Sequence, residues 1–304
     1  MTNNMKPVEI DKDFTNKAIR KMSVIGIAGN VILASFKLFA GVIGHSGAMV
    51  SDAVHSFSDV FATFIAFLGV KISQKENDSA HQYGHERMEC IASLLLGLIL
   101  FVTGVMIGKN GIANILSGAY RVQAIPGTIA LVAAVISIVM KEAMYWYTRY
   151  YAKLLNSPAF MADAWHHRSD AFSSVGSMIG VAGAMMGFPV MDSIASVIIC
   201  LFILKVAVDI VRDSLQKMMD TSCGKEYEEK LSALILSNED IRGIDLLHTR
   251  QFGSKVYVDL EIAVDGDKSL REAHAVAEEI HNCVEQNFSD VKHIMIHVNP
   301  AAEA

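Results

Sequence analysis

The chain has 304 residues, 52% of them hydrophobic and only 19% charged, too few charges to clothe an ordinary water-soluble surface, so a membrane protein is expected. Its formal net charge is −6, and the acidic residues concentrate after Asp209, which leaves no basic surface for nucleic acid. The four cysteines, Cys90, Cys200, Cys223 and Cys283, form no CxxC pair, indicate neither a disulfide framework nor a thiolate zinc site, and read as small buried hydrophobes.

Residues 1–21 are polar and charged and read as a cytoplasmic N-terminal segment. No small-residue cleavage pattern follows the first apolar run, which reads as a retained span. Hydropathy predicts six spans, near 22–43, 47–72, 88–109, 123–147, 158–187 and 190–208, each near the about 20 residues a helix needs to cross the hydrocarbon core. Lys6, Lys12, Lys17, Arg20 and Lys21 precede the first span, Lys71, Lys75 and Arg87 flank the loop after the second, and Arg149 and Lys153 follow the fourth. The opposite side keeps only Lys109 and Arg121. The asymmetry predicts a multi-pass protein of the inner or plasma membrane with both termini cytoplasmic.

Residues 209–304 change to the pattern of a soluble cytoplasmic domain. Residues 226–236 read as a helix, 241–251 as a strand, and 255–264 as a strand in which Val256, Val258, Leu260 and Ile262 alternate with Tyr257, Asp259 and Glu261. Ala273, Val276, Ala277, Ile280, Val284 and Phe288 recur at helical spacing, and a last strand covers 294–298. The order αββαβ predicts a small sheet with helices on one face, a ferredoxin-like or metallochaperone-like α+β domain. The open face would carry Tyr257, Asp259, Glu261, Met295 and His297 and offer a dimer surface.

Two nine-residue segments, SDAVHSFSD (51–59) and ADAWHHRSD (162–170), repeat Asp, Ala, His, Ser and Asp at matching offsets inside the second and fifth spans. Ionisable groups there are costly and by default mark an ion pathway. Residues four apart on a helix differ by about 40° in azimuth and about 6 Å in height, so His55 with Asp59, and His166 with Asp170, each present two donors to one side. Two such helices facing each other supply two imidazoles and two carboxylates, a set that suits Zn2+ well and cobalt, cadmium or iron less decisively. The two spans run in opposite directions, giving a 3+3 inverted repeat with a site near the midplane. The bland reading is that these groups glue helices together. His167 competes with His166 as partner of Asp170, and the internal match favours His166. Asp52 and Asp163 either orient the imidazoles or sit at a cavity mouth. Arg168 is expected to reach toward the cytoplasm or line a wet cavity. In the loop after the second span, Asp78, His81 and His85 form a plausible hydrated metal site, though such loops are more often simply solvated.

On these residues the chain resembles the cation diffusion facilitator family along essentially its whole length: six spans, HxxxD in the second and fifth, and a small cytoplasmic domain. The resemblance implies that His55, Asp59, His166 and Asp170 bind the transported ion, with the HxxxD/HxxxD combination similar to the zinc-preferring branch. It implies a homodimer in the lipid bilayer that exports divalent metal ions, Zn2+ first, in exchange for protons, without a cofactor and without enzymatic activity. It further implies an interfacial metal site at Asp78, His81 and His85 within DxxHxxGH, and a cytoplasmic-domain site at Asp259, His274 and His297. Asp245 matches a position used by some members. Other relatives carry His at the positions of Asp245 and Asp259 and Asp at Asn299, which weakens a two-metal version of that site. Arg87 and Asp220 correspond to an ion pair linking the third span to the tail. His248, His281 and His293 read as surface histidines.

Metal binding needs neutral imidazole and ionised carboxylate, so metal and protons compete for one site. A rival reading is an intramembrane metal-dependent hydrolase, but His85-Glu86 is not followed by a histidine at the HExxH spacing. A metal sensor would need an output module, and none is recognisable. A further alternative keeps the family and changes the main substrate to Fe2+, Co2+, Cd2+ or Mn2+.

Overall fold

A computed structural model describes residues 12–43, 47–118, 128–185, 188 and 190–301; the side chains of residues 47–55, with Asp52 and His55, lie outside the description. The chain divides into two compact units, one of residues 13–215 and one built on residues 216–304.

The first unit holds six long helices: α1 (Lys12–Ile43), α2 (Gly47–Ser73), α3 (Arg87–Ser117), α4 (Thr128–Leu154), α5 (Pro158–Met185) and α6 (Val190–Met218). Each overlaps one of the six predicted spans and several run longer, because hydropathy marks only the apolar part of a helix that continues among polar residues; the predicted stretches 123–127 and 186–187 lie outside the described residues. Among the described residues, α1 over 17–39 and α3 are apolar and long enough to cross a membrane by composition alone.

Burial in this unit is inverted relative to a water-soluble protein. Phe39, Phe61, Val139 and Leu201 are each more than 60% exposed, whereas Asn30, Lys37, Asp59, Lys141, Asp163, His166 and His167 are each under 5% exposed. Apolar atoms outside and hydrogen-bonding groups inside are what a hydrocarbon solvent selects.

Close helix packing uses small residues. Ala62, Ala66, Ala92, Ala152, Ala159 and Ala162 lie in one buried cluster with Met22, Leu96 and Phe160. Gly97, Gly104 and Gly108 on α3 face Val211, Ile203 with Leu204, and Cys200 on α6, a stripe that lets two backbones approach.

The α4–α5 turn is written locally. Asn156 takes φ 49 as a left-handed helix terminator, and Ser157 Oγ accepts from Phe160 N–H at 3.3 Å as an N-cap. Pro158 then occupies the first helical position, where a missing N–H costs nothing. This tight reversal lays α4 back along α5.

The second unit contains α7 (Lys225–Ile235), β1 (Ile241–Phe252), β2 (Lys255–Val264), α8 (Leu270–Asn287) and β3 (Val291–Pro300), the expected αββαβ order. β2 is central, antiparallel to β1 and parallel to β3. Gly253, with φ 65, is the first of the two residues of the β1–β2 turn, a position that type II′ hairpins reserve for glycine. Val256, Val258, Leu260 and Ile262 face Val276, Ile280 and Val284 of α8 and Leu231 and Ile235 of α7. Tyr257 departs from expectation: it belongs to the opposite face yet is only 4% exposed, because Phe252 packs edge-on at 5.1 Å and Arg250 lies 5.3 Å over its ring.

Ser269 opens α8 with a reciprocal cap: its Oγ accepts from Glu272 N–H, and its own N–H donates to Glu272 Oε2 at 2.8 Å. Ser269→Ala is expected to cost about 1 kcal/mol of local helix stability, read as faster amide exchange in the first turn of α8. The Ser269 hydrogen bonds hold the Glu272 carboxyl below its usual range. Its share of the cap is therefore present above a pH of about 4.3 and fades as pH falls through the lowered pKa.

Candidate functional site

The structure brings together Asp59 from α2 with His166 and Asp170 from α5, all buried, with donor atoms within 4.8 Å of one another. His166 Nε2 lies 3.4 Å from Asp59 Oδ1 and 3.9 Å from Asp170 Oδ2. Thr63 Oγ1 donates to Asp163 Oδ1 at 3.1 Å while Asp59 meets His166 and Asp170, so residue numbers rise along α2 as they fall along α5. The two helices are antiparallel, as the inverted repeat requires. His55 stands one turn before Asp59 on α2, and its side chain lies outside the described residues.

His166, not His167, belongs to the cluster. His167 Nε2 instead lies 3.6 Å from Asp163 Oδ2, so the carboxylate beside His167 is Asp163 and not one of the cluster's. His166 is 3% exposed, and neither of its ring nitrogens makes a hydrogen bond in this arrangement. A buried imidazole left in that condition is a costly protein group but a ready metal donor. With two carboxylates and no sulfur, the cluster suits borderline or hard divalent cations.

Sequence reasoning missed two members. Lys141 of α4 donates to Asp59 Oδ2 at 2.5 Å, Asp170 Oδ2 at 2.8 Å and Asn30 Oδ1 at 3.1 Å, and its side chain is 1% exposed. Asn30 of α1 also donates to Thr63 Oγ1 at 3.2 Å. The expected cage of donors is therefore neutralised by an ammonium from a third helix. The available signal was the one used for the histidines: a charged residue in the middle of a span.

Arg168 is half-buried against aromatic rings. Its guanidinium lies 4.3 Å over the Tyr145 ring and within 6 Å of the Trp146, Trp165 and Phe172 rings, with Nε 3.4 Å from Glu142 Oε1. Aromatic faces and one carboxylate hold this cation on the α4–α5 hairpin.

Asp78, His81 and His85 form the second cluster with metal-holding geometry. Asp78 Oδ1 accepts from the N–H groups of Ala80 and His81 and lies 3.3 Å from His81 Nδ1, while Oδ2 lies 3.6 Å from His85 Nε2. The His81 and His85 rings are 4.6 Å apart, and Gly84, at φ 95, supplies the turn that returns His85 to His81. The hydrogen bond from Lys75, then that from the His81 backbone, holds the Asp78 carboxyl well below the usual carboxylate range. Its electrostatic ordering of the loop is present above a pH of about 3.9 and is lost only as pH falls toward that lowered pKa.

The cytoplasmic-domain residues do not gather in one copy. Asp259 and His297 share the open sheet face, Asp259 opposite His248 and Met295, and His297 opposite Glu261. His274 lies in the first turns of α8, the helix that covers the other face. Asp245 is held by Asn299, whose Nδ2 donates to Asp245 Oδ2 at 2.9 Å and Glu261 Oε2 at 3.3 Å. Among the described residues these four form no metal-holding group, because the sheet itself separates His274 from Asp259 and His297. Arg87 begins α3 in the first unit, and Asp220, with φ 59, follows α6 in the second.

A bundle with apolar exterior, a buried cluster of histidine and carboxylate donors and an appended α+β domain has the make-up of a membrane cation transporter. The chain belongs to the cation efflux, or cation diffusion facilitator, family: residues 23–219 match the cation efflux transmembrane domain and residues 223–301 the cation efflux protein cytoplasmic domain. It is 33% identical over 291 residues to the manganese efflux system protein MneP of Bacillus subtilis, covering 93% of this chain and 97% of that one. It is 31% identical over 271 residues to the magnetosome protein MamB of a Magnetospira strain, covering 89% and 92%. A cadmium form of the MamM C-terminal domain is similar at 16% identity and TM-score 0.25, covering 25% of this chain and 96% of that one. The protein is thus an integral membrane cation-efflux transporter and not a hydrolase.

Proposed function

We propose that the protein exports divalent transition-metal ions from the cytosol in exchange for protons, with Zn2+ as its first substrate. The observation that supports this reading is His166, buried beside Asp59 and Asp170 with both ring nitrogens lacking hydrogen bonds; His55, one turn from Asp59, supplies the fourth donor. Metal binding requires these atoms deprotonated, so release on the far side favours proton uptake and the two ions exchange. The basic residues beside the α2–α3 and α4–α5 turns put both termini in the cytoplasm. The open sheet face, where Met295 is 59% exposed beside His297, joins two copies into a homodimer. Asp259 and His297, with Asp245 and with His274 brought by dimerisation, then bind metal as a regulator.

A second substrate reading has its own support: MneP, a manganese efflux protein, shares 33% identity along nearly its whole length, and two carboxylates in the site accommodate Mn2+. Reconstituted protein in liposomes, presented with Zn2+, Mn2+, Fe2+, Co2+ and Cd2+ with a pH-sensitive dye on the far side, separates the two. Zn2+ is expected to move fastest with a matching counterflow of protons. Faster Mn2+ flux selects the second reading, and metal flux without proton movement removes the exchange.

The loop cluster loads metal near the cytoplasmic mouth. Asp78→Asn is expected to weaken metal binding there at least about tenfold while leaving the intramembrane site occupied at saturating metal. Metal titration of the full-length protein, with one dissociation constant raised in the variant and the other unchanged, checks this.

A further inference from the structure

We infer that Lys141 is a tethered competitor of the transported ion: its ammonium occupies the cation position between Asp59 and Asp170, and metal binds only as that side chain withdraws. The inference rests on the reading of Asp59, His166 and Asp170 as the transport site. An ammonium has three donors, and all three are used, on Asp59 Oδ2, Asp170 Oδ2 and Asn30 Oδ1. Two of those acceptors are oxygens a metal would need, so Nζ and a metal ion cannot share them.

Three features separate this arrangement from an incidental buried ion pair. Lys141 bridges the two carboxylates from different helices, whereas a pairing role needs only one. The third acceptor, Asn30, is neutral and on a different helix from either ligand. Asn30 therefore offers a place to hold the ammonium once the carboxylates are taken, and Thr63 links Asn30 onward to Asp163. Finally, the same cluster contains His166, whose nitrogens have no hydrogen bond, so the site is complete as a place for a cation but not for its own side chains.

The consequence for transport is direct. Without a cation, two buried carboxylates facing each other repel and draw water into the bundle. Lys141 relieves this in the ion-free protein, keeps the bundle closed while it returns, and pushes the metal off at release. It is a positioning residue for the exchange rather than a ligand.

The experiment is equilibrium binding of Zn2+ and of Mn2+ to the full-length protein in nanodiscs at one fixed pH, with flux measured in liposomes. Lys141→Met removes the competitor, and metal binding at the intramembrane site is expected to tighten at least tenfold, with both KM and kcat for flux falling because the ion leaves slowly. Lys141→Arg keeps the charge and can bridge both carboxylates with a planar fork, so binding is expected to weaken at least tenfold while the protein stays folded. Wild-type affinity in Lys141→Arg, or unchanged or weaker affinity in a folded Lys141→Met, overturns the inference. If Lys141→Met does not fold, Lys141→Arg decides alone. Asp170→Asn is the reference: if it removes binding while the lysine variants behave as wild type, the transport site stands and the competitor falls. If it leaves binding intact, the site reading has failed and the inference with it.

Discussion

Asp170→Asn is expected to reduce metal flux at least about a hundredfold and to remove one metal ion from the binding stoichiometry, with Asp59→Asn doing the same. Each change replaces a carboxylate that faces His166 and accepts from Lys141 by an amide of the same shape and no charge. The choice of asparagine follows from Lys141. Alanine at either position would leave the buried ammonium short of an acceptor, and breaking one side of a buried ion pair costs about 3–5 kcal/mol. A lost signal could then reflect a collapsed bundle. In Asp170→Asn the ammonium keeps Asp59, Asn30 and an amide oxygen, so the size-exclusion profile is expected to match wild type while flux does not. Wild-type flux in a folded Asp170→Asn protein removes the transport-site assignment.

Gly69→Ala is expected to have a comparable effect by a purely steric route. A Cβ on Gly69 of α2 would overlap the Ala92 Cβ of α3 and come within 3.4 Å of the Met88 carbonyl oxygen. The Met88 contact is ordinary, but the Ala92 Cβ cannot rotate away, since it is the first atom of its side chain. The helices must part, and overpacking of this kind costs about 1–3 kcal/mol. α2 also carries Asp59, ten residues or about 15 Å along the same rod, so its displacement moves a ligand relative to α5. A lowered unfolding temperature together with reduced flux is the expected result. Gly243→Ala in β1, where an added Cβ meets nothing within 4 Å, is the control expected to be silent. Equal behaviour of the two variants would show that the α2–α3 approach is not limiting.

Much of this was legible in the chain. Six apolar runs, two copies of HxxxD and the alternation at 256–262 each have a local cause, in helix length, the 3.6-residue repeat and the two-residue strand repeat. The DxxHxxGH loop was equally readable, because a turn at Gly84 brings neighbours in sequence together in space. The aromatic setting of Arg168 was not legible for the converse reason: Tyr145, Trp146 and Glu142 are supplied by a different helix. The alternation at 256–262 also assigned Asp259 to the open sheet face, with α8 and its His274 on the other, so these residues do not gather in one copy.

By itself, then, the sequence determined the family, the helical membrane class and the helices from which Asp59, His166 and Asp170 come, because these depend on composition and on spacing along one element. The repeat favoured His166 over His167, but only the tertiary structure decided that Asp163 lies beside His167 and that Lys141 of α4 holds both carboxylates. Those choices depend on how helices rotate against each other, and that rotation is set by packing at contacts such as Gly69–Ala92 and by the Asn156-Ser157-Pro158 turn. Apart from that local turn, no residue's neighbours along the chain encode it.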